Sequence, residues 1–155
     1  MIGGDADPLG WEKALMTGEK LPTPVVLVVD DEPLIRWSLT EGLTEGGYVV
    51  RQAATGAEAR TVLSATLGEP MVVLLDLRLP DVTDLSLLRE IRERTPAIPV
   101  IVMTAHGTPE DAREARKLGV FRFVDKPFDV MEIVNLVAEA ALSDPTGQTG
   151  PARSR

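Results

Sequence analysis

Between residues 25 and 142 the chain alternates short apolar runs with longer amphipathic stretches. VVLVV (25–29), MVVLL (71–75) and IPVIVM (98–103) are rich in branched residues and lack period-two alternation, the pattern of strands buried on both faces of a parallel sheet. YVVRQA (48–53) and VFRFV (120–124) are more mixed, as suits strands nearer the sheet edges. Helical stretches lie between. Pro33 to Glu45 places Leu34, Ser38, Leu39 and Leu43 near one side, with Pro33 in the first turn and Gly46-Gly47 as a stop. Ala57 to Leu67 follows Gly56. Asp84 to Arg94 carries Leu85, Leu88 and Ile91 at helical spacing, with Asp84 as N-cap. Pro109 to Leu118 follows Thr108 and stops at Gly119, and Asp129 to Leu142 sets Val130, Ile133, Val134, Val137 and Ala141 along one stripe. Five βα units in a row predict an α/β fold, a doubly wound five-stranded parallel sheet with helices on both faces. Periodicity leaves the strand order open.

The flanks read differently. Residues 1–24 are rich in Gly, Pro and charge and read as a flexible extension, within which WEKALM has the spacing for a turn or two of helix. Residues 143–155, SDPTGQTGPARSR, are linker-like. The expected domain therefore occupies 25–142. Composition narrows its chemistry. The formal net charge of −8 and pI of about 4.7 disfavour nucleic acid and anionic lipid as partners. With no cysteine and a single histidine, thiolate and multi-histidine metal sites are excluded. Oxygen ligands remain, and they suit hard cations such as Mg²⁺. No apolar stretch reaches the roughly 18 residues of a membrane span, and the N-terminus lacks the basic start and apolar core of a signal peptide. A cytoplasmic location is expected.

Ligands of open parallel sheets gather at the carboxyl ends of the strands. The first run delivers Asp30 and Asp31 there, the third Asp76, the fourth Thr104 and the fifth Lys126. Each has an ordinary reading alone: a strand-ending Asp is usually a turn residue or cap, a Thr a β-former, a Lys before Pro a solvated loop residue. Three carboxylates, a hydroxyl and an amine on one rim form a set that those separate readings do not explain.

These residues lie in VVDDEP, LLDLRLPD, VMTAHG and FVDKPF, which together resemble the motif set of response-regulator receiver domains, the phosphoacceptor half of two-component signalling. The wording is closest to receivers of the NtrC type. The resemblance covers roughly Pro24 to Leu142 and implies the flavodoxin-like strand order 2-1-3-4-5. It implies that Asp76 accepts a phosphoryl group. It further implies that Asp31 and Asp76 bind Mg²⁺ directly, Asp30 mainly through water, and the backbone carbonyl of Arg78 completes the protein's share. Thr104 and Lys126 would bind the phosphoryl oxygens, Phe123 would be the aromatic switch, and Lys126–Pro127 is a candidate cis bond. The chemistry is coherent. A carboxylate meets a phosphoryl donor against charge repulsion, which a divalent cation and a lysine cancel.

The implied function is a phosphorylation-dependent switch. A histidine kinase would supply the phosphoryl group, and Thr104 and Phe123 would repack the surface of the last two βα units. That surface would control a downstream protein, an attached output domain or a homodimer. Two other classes stand beside it. A phosphate-independent interaction module is opposed by the intact Asp76, Thr104 and Lys126. A metal-dependent phosphohydrolase with an Asp nucleophile typically has a second Asp two residues on, where Arg78 stands. Asp84 departs from the family's usual glycine, and Arg78 and His106 flank the expected phosphate position.

Overall fold

The computed structural model describes residues 24–66, 69 and 71–143; the WEKALM stretch, the outer part of the tail and the expected helical residue Leu67 lie outside them. Among the described residues, five strands alternate with five helices. They are β1 (Val25–Val29), α1 (Pro33–Glu45), β2 (Val49–Ala53), α2 (Gly56–Ala65), β3 (Met71–Asp76), α3 (Ser86–Arg94), β4 (Val100–Thr104), α4 (Pro109–Lys117), β5 (Arg122–Asp125) and α5 (Val130–Ala141). All pairings are parallel, in the order β2-β1-β3-β4-β5, as the resemblance implied.

Strand alternation sorts the core into two layers. Val25, Leu27, Val29, Val73, Leu75, Val100 and Val102 face one way, against Ala59 of α2, Leu87, Leu88 and Ile91 of α3 and Ala115 of α4. Val26, Val28, Val72, Leu74, Ile101 and Met103 face the other, against Leu39 and Leu43 of α1 and Ile133, Val137 and Ala140 of α5. Each fully buried branched or Leu side chain contributes about 1.5–3 kcal/mol, and the continuous apolar runs are therefore the framework of both layers. α1 and α5 approach closely at Gly42, where a Cβ would lie 2.6 Å from Val130 Cγ1.

Local signals place the helix ends. Thr108 forms a capping box with Asp111, Asp129 accepts the Met131 N–H, and Pro33 opens α1. Gly47 and Gly119 take φ of 94° and 83° after α1 and α4, the left-handed turn that glycine adopts without strain. Two expectations need correction. Leu34 is 72% exposed: at about 100° per residue it lies half a turn round from Leu43, and Ile35 joins the stripe instead. Asp84 is not the N-cap residue. α3 starts at Ser86 behind Leu85, and the Asp84 carboxylate accepts the Ser86 N–H at 3.0 Å, capping from one residue further out.

Candidate functional site: a buried acid–lysine cluster

The parallel register brings the strand ends to one rim. Asp30 follows β1, Asp76 ends β3, Thr104 ends β4, and Lys126 follows β5 with its N–H bonded to the Thr104 carbonyl at 2.9 Å. The Lys126–Pro127 bond is cis. Asp30, Asp76 and Thr104 are all buried.

One ammonium organises the cluster. Lys126 Nζ lies 2.7 Å from Asp30 Oδ2, 2.8 Å from Glu32 Oε1 and 3.0 Å from Asp76 Oδ2. The contacts to Glu32 and Asp76 are hydrogen bonds, whereas Asp30 Oδ2 makes none and is held by charge. The second oxygens are also fixed: Asp30 Oδ1 accepts the Glu32 N–H at 2.9 Å, and Asp76 Oδ1 accepts the Arg78 N–H at 3.0 Å. Burial pushes the Asp30 carboxyl up from its ordinary value, against the opposing pull of Lys126 and the Glu32 N–H. Burial alone would lower the Lys126 ammonium, but the Asp30, Glu32 and Asp76 carboxylates around it hold it well above the usual lysine range.

Thr104 neighbours Met103, the register partner of Asp76, and its hydroxyl accepts the His106 N–H at 3.4 Å. Phe123 in β5 is partly buried. A Cβ on Gly107 would lie 2.6 Å from Thr104 Cγ2 and 2.8 Å from Phe123 Cζ, so the two expected switch residues meet over a glycine. Arg78 is exposed. Its guanidinium reaches the carbonyls of Thr83 and His106 at 3.5 and 3.4 Å and the Asp111 carboxylate at 3.5 Å, tying the β3–α3 loop to the β4–α4 loop.

The structure brings Asp30, Asp76 and Lys126 together and sets Thr104 on the adjacent strand end. Asp31 is exposed, and its carboxylate is outside the group of three, Asp30, Glu32 and Asp76, whose oxygens lie within 4.8 Å of one another. The reason is local. The chain bends at Asp31, with the Glu32 N–H turned back onto Asp30 Oδ1, and from this turn the Glu32 carboxylate reaches Lys126 while Asp31 stays exposed. Glu32 carried no sequence signal of its own, since a Glu before a helix-opening Pro reads as a solvated side chain.

Comparison with known proteins bears on the family and the fold. The response regulator receiver domain family model matches residues 26–138. The chain belongs to that family. It is 40% identical over 116 residues to the DNA-binding transcriptional regulator NtrC of Escherichia coli K12, covering 75% of this chain and 24% of the relative; the chain thus spans about a quarter of the curated relatives it resembles. Among solved structures it is similar to a response regulator receiver domain protein from Clostridium thermocellum (TM-score 0.71, 29% identity, 76% of this chain and 94% of that one). It is also similar to the beryllofluoride-activated NtrC4 receiver domain dimer (TM-score 0.69, 36% identity, 75% and 94%). Among the described residues no helix is long and apolar enough to cross a membrane.

Proposed function

We propose that this receiver accepts a phosphoryl group from a histidine kinase on Asp76, and that the modification repacks the α4–β5–α5 surface to control an output partner or a homodimer. The observation that carries the reading is Asp76 itself. Its carboxylate ends a buried central strand, with one oxygen on a backbone N–H and the other on a lysine. Both contacts orient the nucleophile, and an ionised carboxylate needs no general base.

The site suits Mg²⁺. Three carboxylates converge on a single ammonium, leaving excess negative charge on hard oxygen donors. Asp31 and Asp76 would hold the ion directly and Asp30 mainly through water, with the Arg78 carbonyl completing the set. When bound, Mg²⁺ supplies charge neutralisation between the carboxylate and an incoming phosphoryl group. Lys126 then pairs with phosphoryl oxygens, and the Thr104 hydroxyl donates to another. Drawing Thr104 towards the phosphoryl group removes it from beside Phe123, and the ring follows into the space released. The new state is favoured by as much as its contacts to the phosphoryl group exceed those of the old one. Activation of the similar NtrC4 receiver as a dimer supports a homodimer as one output.

Incubation with acetyl phosphate and Mg²⁺ should add one phosphoryl mass to the wild type and none to Asp76→Asn. Beryllofluoride should shift sedimentation of the wild type alone. A folded wild type that remains unmodified and unshifted overturns the proposal.

A further inference from the structure

Glu32 belongs to neither the β1 rim as read from sequence nor the helix it precedes. It stands at the N-cap of α1, where Ser, Thr, Asp or Asn is preferred, and its side chain makes no cap bond. The carboxylate instead reaches back to Lys126 Nζ at 2.8 Å. Its side chain is 56% exposed, whereas those of its two competitors, Asp30 and Asp76, are 0% and 5% exposed.

An ammonium has three N–H donors, and three carboxylates surround this one. A phosphoryl group on Asp76 removes the charge of that carboxylate and brings further anionic oxygens to the same lysine, where they compete with Asp30 and Glu32. Releasing Asp30 would strand a buried charge, which is expensive. Releasing Glu32 returns an exposed carboxylate to water, where ion pairs are worth little.

We propose that Glu32 is a displaceable counter-ion for Lys126, a positioning residue that holds the lysine over Asp76 until the phosphoryl group arrives and thereby slows phosphorylation. This rests on Asp76 being the acceptor. With acetyl phosphate as donor, an Asp76 oxygen–phosphorus bond forms as the phosphorus–oxygen bond to acetyl breaks. Acetate leaves with the electron pair, and no proton is transferred. Glu32 opposes the step twice, by repelling the anionic donor and by occupying the lysine.

The test compares wild type, Glu32→Gln and Glu32→Asp at saturating Mg²⁺. Glu32→Gln should raise the rate constant with acetyl phosphate about three- to five-fold and weaken its dependence on ionic strength. Glu32→Asp keeps the charge but is one methylene short of the lysine, and should recover more than half of that gain. A lower rate with a higher Mg²⁺ half-saturation would make Glu32 a metal ligand and overturn the proposal, as would an unchanged rate. Hydrogen exchange of the Lys126 ammonium, followed by NMR, needs no phosphorylation. It should quicken several-fold in both variants; if it does not, the contact is absent and the proposal fails. If exchange quickens but no form of the protein is phosphorylated, the counter-ion contact stands, its braking of phosphorylation fails, and Asp76 as acceptor fails with it.

Discussion

The two halves of the rim are built to different tolerances. At β1 and β3, buried carboxylates lie 2.7 and 3.0 Å from a lysine whose side chain is 7% exposed. At β4 and β5, the loop after Thr104 is held by contacts of 3.4–3.5 Å through an exposed arginine, and β5 is only half-buried. Both halves rest on the same sheet, so the difference lies in what ties each rim segment down. A nucleophile must be held in place for chemistry, and positioning is worth several kcal/mol to a reaction. A segment that must move between two arrangements has to be held weakly enough for ligand contacts to decide between them. In the proposed function, the acid–lysine half is the fixed part, and the Thr104–Phe123 half is the part free to respond.

The largest test of this contrast is Lys126→Met, which keeps side-chain volume and removes the charge. Two buried carboxylates then face one another unpaired, and stability measured by urea unfolding should fall by about 3 kcal/mol. Mg²⁺ should raise the unfolding midpoint of the variant more than that of the wild type, because the ion replaces the missing cation. Equal midpoints with and without Mg²⁺ in the variant would show that the carboxylates are not the site of strain.

Gly107→Ala probes the other half. The new methyl would press on Thr104 and Phe123, and overpacking of this kind should cost about 1–2 kcal/mol. If the ring is the neighbour that gives way, the same substitution in a Phe123→Leu background should cost less than half as much. A double-mutant cycle measures that coupling. Additive costs would place the strain on the backbone and remove Gly107 from the switch.

Much of this was legible in the sequence because it is local. The buried runs, Pro33, Thr108, Asp129 and the glycine stops each act within a few residues, and Asp30, Asp76, Thr104 and Lys126 could be placed because parallel strands put their carboxyl ends on one side. Roles that depend on side-chain reach across the fold were not legible. Glu32 pairs with a lysine 94 residues away, and its neighbour Asp31, the more conspicuous candidate, is exposed. Leu34 went astray through counting a helix face too generously. Nothing in the sequence singles out Gly107, since only the assembled strands bring Phe123 to it.

A smaller effect is expected from Arg78→Ala. Its contacts are long and exposed, so global stability should change by less than about 0.5 kcal/mol. Amide exchange across residues 104–108 should nevertheless quicken, because the variant frees one loop from the other. Unchanged exchange there would mean that the β4–α4 loop is held by its own backbone and that the arginine is incidental.

The smallest effect concerns a tie on the fixed side. Asp81, in the β3–α3 loop, accepts the Gly56 and Ala57 N–H groups at 2.8 and 3.0 Å, capping α2 from across the rim. Gly56 permits the approach, since a Cβ there would meet Val82 Cγ2 at 2.6 Å. Those two N–H donors lower the Asp81 carboxyl below its ordinary value. The unfolded chain therefore binds the proton more readily than the folded one. The stabilisation is complete above the unfolded-chain value, about 3.9, and disappears as pH falls through the lower folded value. Asp81→Asn should lower Tm slightly at neutral pH and converge with the wild type at the acid end of that window. A constant Tm difference across the window would assign the effect to the lost hydrogen-bond geometry, and leave the charge on Asp81 without a part in anchoring the loop.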